Sequence, residues 1–571
     1  NAALWAVGNA KFGYWLSAIG NAKLAPWMKR ILLCLVFVLF VGGVIWFAFS
    51  RRDHSAVPAT RLAPANSIFF AECRDFGETQ KRFTTASLAR ILDEPSVRRF
   101  INYSSSNVPA PCKALAQGLI RLSPRSAFFS SYTLNRDEWI CGVHCSGDLR
   151  SWENQLGVPL ATLFASNFRS FSESNPNDLT QTQPAKGMLF GIRTGSWLLF
   201  SPKPVYLQDA LRRTDAVNSG LDTSELFVRC RNRVPEDADF YGFATGEGLK
   251  FMERGLRPFL PRADVSALMF TAKLDGSNVH DTVFAYCSHP PPSDDLDRKG
   301  LFLTTDKTLL YAATSLDLLR LRSLADALSK ESGIAQTAKQ YFEEVNRTGV
   351  DFAELSDMVK GVELVLNRAP SNDSIIGAFL VETKDGARAN EFLGMILKAE
   401  FSERYRQQTL NGFSVYTFRN REGTSLVLGV VGQDLIATTN EATFLGAVKA
   451  ISDQKVALPN IEGAGGNEAG QGISGLRLYV DAPTLFDRGY SMLRPVLAFS
   501  SALVPNLDRY LDPTMLPDAP EISRHLSPIV LTRRQLTDGI LDQSTGSLTA
   551  YEVSLLAVAG AVGFTSLESE N

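Results

Sequence analysis

The stretch Gly412–Thr439, GFSVYTFRNREGTSLVLGVVGQDLIATT, decides how this chain is to be folded. Apolar and polar residues alternate along FSVYTF, and SLVLGVV is rich in β-branched residues, the marks of half-buried strands. Glu422-Gly423 and Gly432-Gln433 interrupt the pattern with turn chemistry, so three consecutive antiparallel strands are expected. The last of them, DLIATT, runs into NEATFLGAVKAI, whose apolar residues return at helical spacing. A helix that follows a strand covers one face of the sheet, and that local rule organises the rest of the reading.

The same unit recurs along the chain. SIFFAECRDF leads into a helix carrying Leu88, Ile91, Leu92 and Val97, and DFYGFATGEGL leads into KFMERGL. TLLYAATSLDLL precedes LRLRSLADAL, WLLFSPKPVYL precedes QDALRR, and LRLYVDAPTLF precedes DRGYSML. Thr314-x-x-Asp317 and Thr438-x-x-Glu441 match the capping box, and Pro483 suits the first turn of a helix that Asp481 or its neighbours would cap. ALMFTAKLDGSNVHDTVFAYC holds the hairpin signal Asp275-Gly276. A second hairpin is expected near the C-terminus, Ile529–Leu531 with Ile540–Asp542, turning at Asp538-Gly539. Because both halves reuse one unit, an ancient duplication is expected.

At 571 residues the chain exceeds one ordinary core. Breaks at 51–64 and at CSHPPPSDDLDRKG (Cys287–Gly300) divide it. The expected fold class is α+β: one N-terminal transmembrane helix, then two lobes of antiparallel sheet with strand-then-helix repeats. The expected order is a short tail (1–30, with 1–27 an upstream extension), the span (31–50) and a linker (51–64). A first lobe (65–290), a Pro/Asp-rich linker (291–300) and a second lobe (301–571) follow. The span rests on Ile31–Phe49, 19 residues without a charge, flanked by Lys29-Arg30 and Arg51-Arg52. Met28-Lys29-Arg30 before it reads as the start of an uncleaved signal-anchor. A single-pass protein of the cytoplasmic membrane is therefore expected, contacting the bilayer through 31–49 and holding its C-terminal part in the periplasm.

The chemistry is less eloquent. With 58 basic and 60 acidic residues, a net charge of −2 supplies no reason to expect nucleic acid. Six cysteines lie outside the apolar run: Cys73, Cys112, Cys141, Cys145, Cys230 and Cys287. An even set confined to the first 290 residues suits disulfides in an oxidising compartment, without fixing their pairing. Cys141-Gly-Val-His-Cys145 lacks the second ligand pair of a zinc site, so no metal is expected. The glycine-rich stretch Gly463–Gly472 has no following Lys-Ser/Thr, and neither G-x-S-x-G nor H-E-x-x-H occurs, so no cofactor and no catalytic residue is assigned.

Four phrases carry a resemblance: PANSIFFAECRDF (Pro64–Phe76), LARILDEPSVRRFI (Leu88–Ile101), HLSPIVL (His525–Leu531) and DGILDQSTGSLT (Asp538–Thr549). With the N-terminal run, they resemble uncharacterised single-anchored bacterial envelope proteins of planctomycete and verrucomicrobial type, related to a domain-of-unknown-function family. The resemblance implies an extracytoplasmic α+β protein and transfers no catalytic residue. The leading expectation is thus a membrane-anchored envelope protein with a non-catalytic binding or scaffolding role, its partner another envelope protein. The alternatives are a subunit of a multi-protein membrane complex and an envelope hydrolase whose site forms no motif. Converging carboxylates of raised pKa in a pocket would favour the hydrolase; a large exposed apolar patch would favour the complex.

Overall fold

A computed structural model describes residues 57–106, 124–135, 137–144, 168–171, 189–215, 219–249, 265–288, 296–328, 333–347, 349–369, 374–401, 405–419, 425–454, 476–503 and 512–553. They belong to two units. Unit 1 draws on Asn1–Ser288, Tyr490–His525 and Tyr551–Asn571, and unit 2 on His289–Gly489 and Leu526–Ala550.

In unit 1 the strands are β1 (Phe69–Cys73), β2 (Ser126–Ser131), β3 (Trp139–His144), β4 (Phe168–Phe171), β5 (Leu189–Thr194), β6 (Trp197–Ser201), β7 (Phe240–Thr245), β8 (Val265–Asp275) and β9 (Asn278–Cys287). Their pairings give the order β4-β5-β6-β3-β2-β1-β7-β8-β9, antiparallel except for β4 with β5. In unit 2 they are β10 (Thr308–Ser315), β11 (Val359–Arg368), β12 (Ile375–Thr383), β13 (Tyr405–Leu410), β14 (Phe413–Arg419), β15 (Ser425–Val431), β16 (Asp434–Thr438), β17 (Arg477–Val480), β18 (Ile529–Leu536) and β19 (Gly539–Gly546). The order there is β13-β14-β15-β16-β12-β11-β10-β17-β18-β19, antiparallel throughout.

The two orders share one topology over eight antiparallel strands, β5 to β9 in unit 1 and β15 to β19 in unit 2 with the strands between them. Each begins with a strand that ends up central, adds two strands on one side, and returns a hairpin beside the third. The chain then crosses to the other side of the first strand and adds three more. The returning hairpins match residue by residue: Thr194 pairs with Trp197 across Gly195-Ser196, and Val431 with Asp434 across Gly432-Gln433. Both glycines sit at positive φ (56° and 64°), which glycine adopts without steric cost. A helix follows each hairpin, Pro204–Asp215 in unit 1 and Glu441–Asp453 in unit 2. Each of these packs against the short turn that leads into its unit's first strand, Ala59–Leu62 and Lys299–Leu303 respectively.

The cores are assembled by alternation. In unit 1, Phe70, Phe128, Phe227 and Phe243 form a ring-to-ring cluster on the inner face, with centroids 5.3–6.2 Å apart. In unit 2, Tyr311, Val365, Leu380 and Ile436 occupy the inner face, and Phe444 of helix Glu441–Asp453 packs onto it. Its opposite face is partly covered by helix Gly386–Phe401 through Leu393 and Leu397 against Tyr416.

The expected fold class needs correction. The chain is α+β and dominated by antiparallel sheet, but no helix among the described residues is long and apolar enough to cross a membrane. The expected span at 31–49 lies outside the described residues. An apolar run meets only the length requirement of a span, whereas the described fold is organised by strand pairing. The helix expected to carry Leu88 to Val97 is two short ones, Ser87–Asp93 and Pro95–Ser106, broken by extended Glu94 and preceded by a third, Phe76–Thr85. Neither expected capping box forms. Thr314 and Thr438 remain in strands, and the second helix is capped by Asn440, whose side chain accepts from Thr443 N at 2.8 Å. Asp481 does cap its helix, accepting from Thr484 N at 3.3 Å, and an unforeseen capping box joins Asp518 to Glu521.

Gly195→Ala and Gly432→Ala should each cost about 1 kcal/mol through backbone strain alone. Gly386→Ala should cost more, about 2–3 kcal/mol, because its Cβ would stand 1.9 Å from the Gly432 carbonyl oxygen. Urea unfolding of the three variants checks the ranking.

Candidate functional site

Charge converges at one place on the inner face of unit 2. Glu363 of β11, Glu382 of β12 and Asp434 of β16 are only 2–3% exposed. Strand register brings them together: Gly361 pairs with Glu382, Glu382 pairs with Asp434, and Glu363 lies two residues along β11 on the same face. All three reach the segment that leads into β10. Asp297 N donates to Glu382 Oε2 at 2.8 Å, and Gly300 N donates to both oxygens of Glu363 at 3.1 Å. Lys299 Nζ donates to Asp434 Oδ2 at 2.8 Å. From the sheet side, Tyr311 Oη donates to Glu363 Oε2 at 2.8 Å and Lys360 Nζ to Glu382 Oε1 at 2.9 Å.

The fit is tight at two glycines. A Cβ on Gly300 would lie 2.6 Å from Glu363 Oε2, and one on Gly361 would lie 2.5 Å from Leu296 Cδ2. Arg298, between the pinned residues, is held at φ 52°, a left-handed conformation that costs a non-glycine residue of order 1 kcal/mol. The segment is therefore seated by its bonds to the acids rather than by its own backbone preference.

Burial sets the protonation states. It pushes the Glu363 carboxyl up to about 7, against the Gly300 N–H and Tyr311 hydroxyl, with the charges of Glu382 and Asp434 adding to the rise. Burial also raises Asp434, against Lys299. For Lys299, burial acts downward but is outweighed by Asp434, and the ammonium sits above its usual range. Both partners of this pair rise because the carboxylate is the deeper, 4% exposed against 25%. Burial and the neighbouring Glu363 hold the Tyr311 hydroxyl far above its ordinary range.

Unit 1 fills the same three positions differently. Counting from the matched hairpins, Trp197 stands where Asp434 does, His144 where Glu382 does, and Phe128 where Glu363 does. Trp197 meets the Phe128 ring edge-on at 5.4 Å and lies 5.0 Å from His144. Its Nε1 donates to Val57 O at 2.8 Å, pinning the segment before β1 as the acids pin the one before β10. His144 Nε2 lies 2.8 Å from Ser196 Oγ.

A second charged group ties unit 1 together. Arg524 Nη2 donates to Glu94 Oε2 at 2.5 Å, His525 Nε2 meets Glu94 Oε1 at 2.5 Å, and Ser96 Oγ donates to Glu521. Hydrogen bonds from Arg524 and then His525 hold the Glu94 carboxyl well below its usual range, at about 2. Two of the phrases that carried the envelope-protein resemblance, at 88–101 and 525–531, thus meet in space.

The cysteines form no described centre. Cys73 and Cys141 carry free thiols, raised by burial, Cys141 to about 12, which leaves them poor nucleophiles. Cys230 and Cys287 are buried, and Cys112 and Cys145 lie outside the described residues. No group of three potential metal ligands occurs among the described residues. An open groove of about 580 Å³ in unit 1, lined by Ser67, Ile68, Ser224, Leu226, Thr245 and Glu247 among others, lies away from these clusters. The acids of unit 2 converge, but under a seated segment rather than in a cleft. Sequence reading missed them because each follows a strand's alternation on a different strand, and no motif links positions 363, 382 and 434.

No protein-family model, no curated protein and no solved structure matches this chain.

Lys299→Met should destabilise unit 2 by about 2 kcal/mol near pH 7, since it strands a buried carboxylate. The loss should shrink in acid, where Asp434, already raised by burial, takes up a proton; denaturant curves at neutral and acid pH check this. For Glu94 the folded pKa is depressed, so its contribution is present above about 4.5 and is lost as pH falls toward about 2. Limited proteolysis should release 519–525 across that window, and Glu94→Gln should release it at neutral pH.

Proposed function

We propose that this protein is a non-catalytic binding or scaffolding protein, and that it receives another protein on the face of the unit 2 sheet opposite the buried acids. The observation that carries the reading is a set of three exposed apolar side chains on that face, smaller than the large patch that would favour the complex. Ile375 and Phe379 of β12 and Leu426 of β15 are 50%, 41% and 45% exposed. Gly377 lies between the two β12 side chains, flanked by Leu366 and Thr439. Large exposed apolar side chains grouped on one rigid sheet are what a docking surface requires. The converging carboxylates, by contrast, are engaged by the protein's own backbone and lysines, which argues against acid–base catalysis there. An envelope location, with an envelope protein as the partner, belongs to this proposal through the sequence resemblance and not through the apolar run at 31–49.

One contact favours a second reading, a hydrolase. His144 Nε2 within hydrogen-bond distance of Ser196 Oγ on a hairpin turn is the geometry of a nucleophile and its base. No pocket or anion-stabilising donors are described beside it.

Two assays decide. Crosslinking of the full chain in its native membrane extract should capture a reproducible partner that is lost in Ile375→Lys/Phe379→Lys with no fall in thermal midpoint. Capture by the double variant as strong as by wild type would sink the docking face. Labelling by a fluorophosphonate that disappears in Ser196→Ala would establish the hydrolase and overturn the non-catalytic reading.

A further inference from the structure

We propose that the segment Asp297–Leu303 is a pH-dependent latch, seated on the inner face of unit 2 below neutrality and released above it. The geometry supplies the parts. Asp297, Lys299 and Gly300 each make one attachment, and each attachment ends on a carboxylate from a different strand. Between them Arg298 is held left-handed, so the segment relaxes when it lets go. Release would lift Leu301 and Leu303 from the core beside Tyr311.

Glu363 is the group that titrates. Facing it are Tyr311 from β10, Lys360 from its own strand, Glu382 from β12, Asp434 from β16 and Arg477 from β17. The segment adds Asp297, Arg298 and Lys299. The two lysines are committed to the other two acids, Lys360 to Glu382 and Lys299 to Asp434. Gly300 N and the Tyr311 hydroxyl, both neutral, donate to Glu363 itself. Loss of the Glu363 proton adds a buried negative charge beside Glu382 and Asp434. Because the folded pKa is raised, the contribution is complete below about 4.5 and disappears as pH rises through about 7. In unit 1 the equivalent positions are Phe128, His144 and Trp197, and the segment at Val57 is held by an indole N–H that does not titrate. The two halves thus share one device, of which only the second answers to pH through a carboxyl.

Hydrogen exchange of the full chain, read by mass spectrometry between pH 5.5 and 8.5 and corrected for the intrinsic rate, tests this. Protection over 297–303 should fall about 30-fold across neutrality, while the β8–β9 hairpin stays constant. Glu363→Gln, which keeps the acceptor for Gly300 and Tyr311, should remove the fall. If that variant does not fold, Tyr311→Phe serves, since losing its hydroxyl should move the midpoint to higher pH. Constant protection in the wild type, an equal fall in Glu363→Gln, or an unmoved midpoint in Tyr311→Phe would overturn the latch.

Discussion

Glu363, Glu382 and Asp434 hold the lead-in of unit 2 on its sheet, and most of that unit depends on the contact. The segment they seat carries Leu301 and Leu303, which close the inner core against Tyr311 and Phe444. Burying three carboxylates is costly unless their lone pairs are taken up. Here two ammonium groups, two backbone N–H groups and a phenol do so. The donors to Glu363, Gly300 N and the Tyr311 hydroxyl, are neutral, and burial leaves a carboxyl that holds its proton to about 7.

Setting the halves side by side separates what the topology needs from what it permits. Both need a pinned lead-in, a returning hairpin at a positive-φ glycine and a helix over that hairpin. Phe128, His144 and Trp197 meet the first need with ring packing and one indole bond, whereas the acids meet it with ionic attachments. An indole N–H does not titrate, whereas buried acids do. Glu94 acts in the opposite sense, losing its ties to Arg524 and His525 only in acid. Unit 1 is therefore weakened by acid through Glu94, and unit 2 by base through Glu363.

Much of the architecture was legible in the alternation of single strands. The hairpin at Asp275-Gly276 and the strand-to-helix passage at 434–453 needed only local pattern, and each repetition of that passage pointed to duplication. Pattern failed where two local solutions compete. Thr314 and Thr438 have capping chemistry, but their β-branched side chains suit the strands that retain them. The hairpin at Asn411-Gly412, both at positive φ, went unread although Asn-Gly is a strong turn signal, because Tyr405–Leu410 offers few apolar residues on either face. The acid cluster was out of reach on other grounds. A lone Glu in an alternating strand reads as a solvent-facing residue, and only register places 382 beside 434.

The most direct test is the titration of the Glu363 carboxyl itself in the full chain, followed by carbon NMR with Glu363→Gln as the assignment control. A midpoint near 7, with Tyr311 still protonated, is what a buried acid under a seated segment requires. A midpoint near the ordinary value of about 4.5 would mean that water reaches the carboxyl, and the account of unit 2 as a sheet closed by its own lead-in would be wrong.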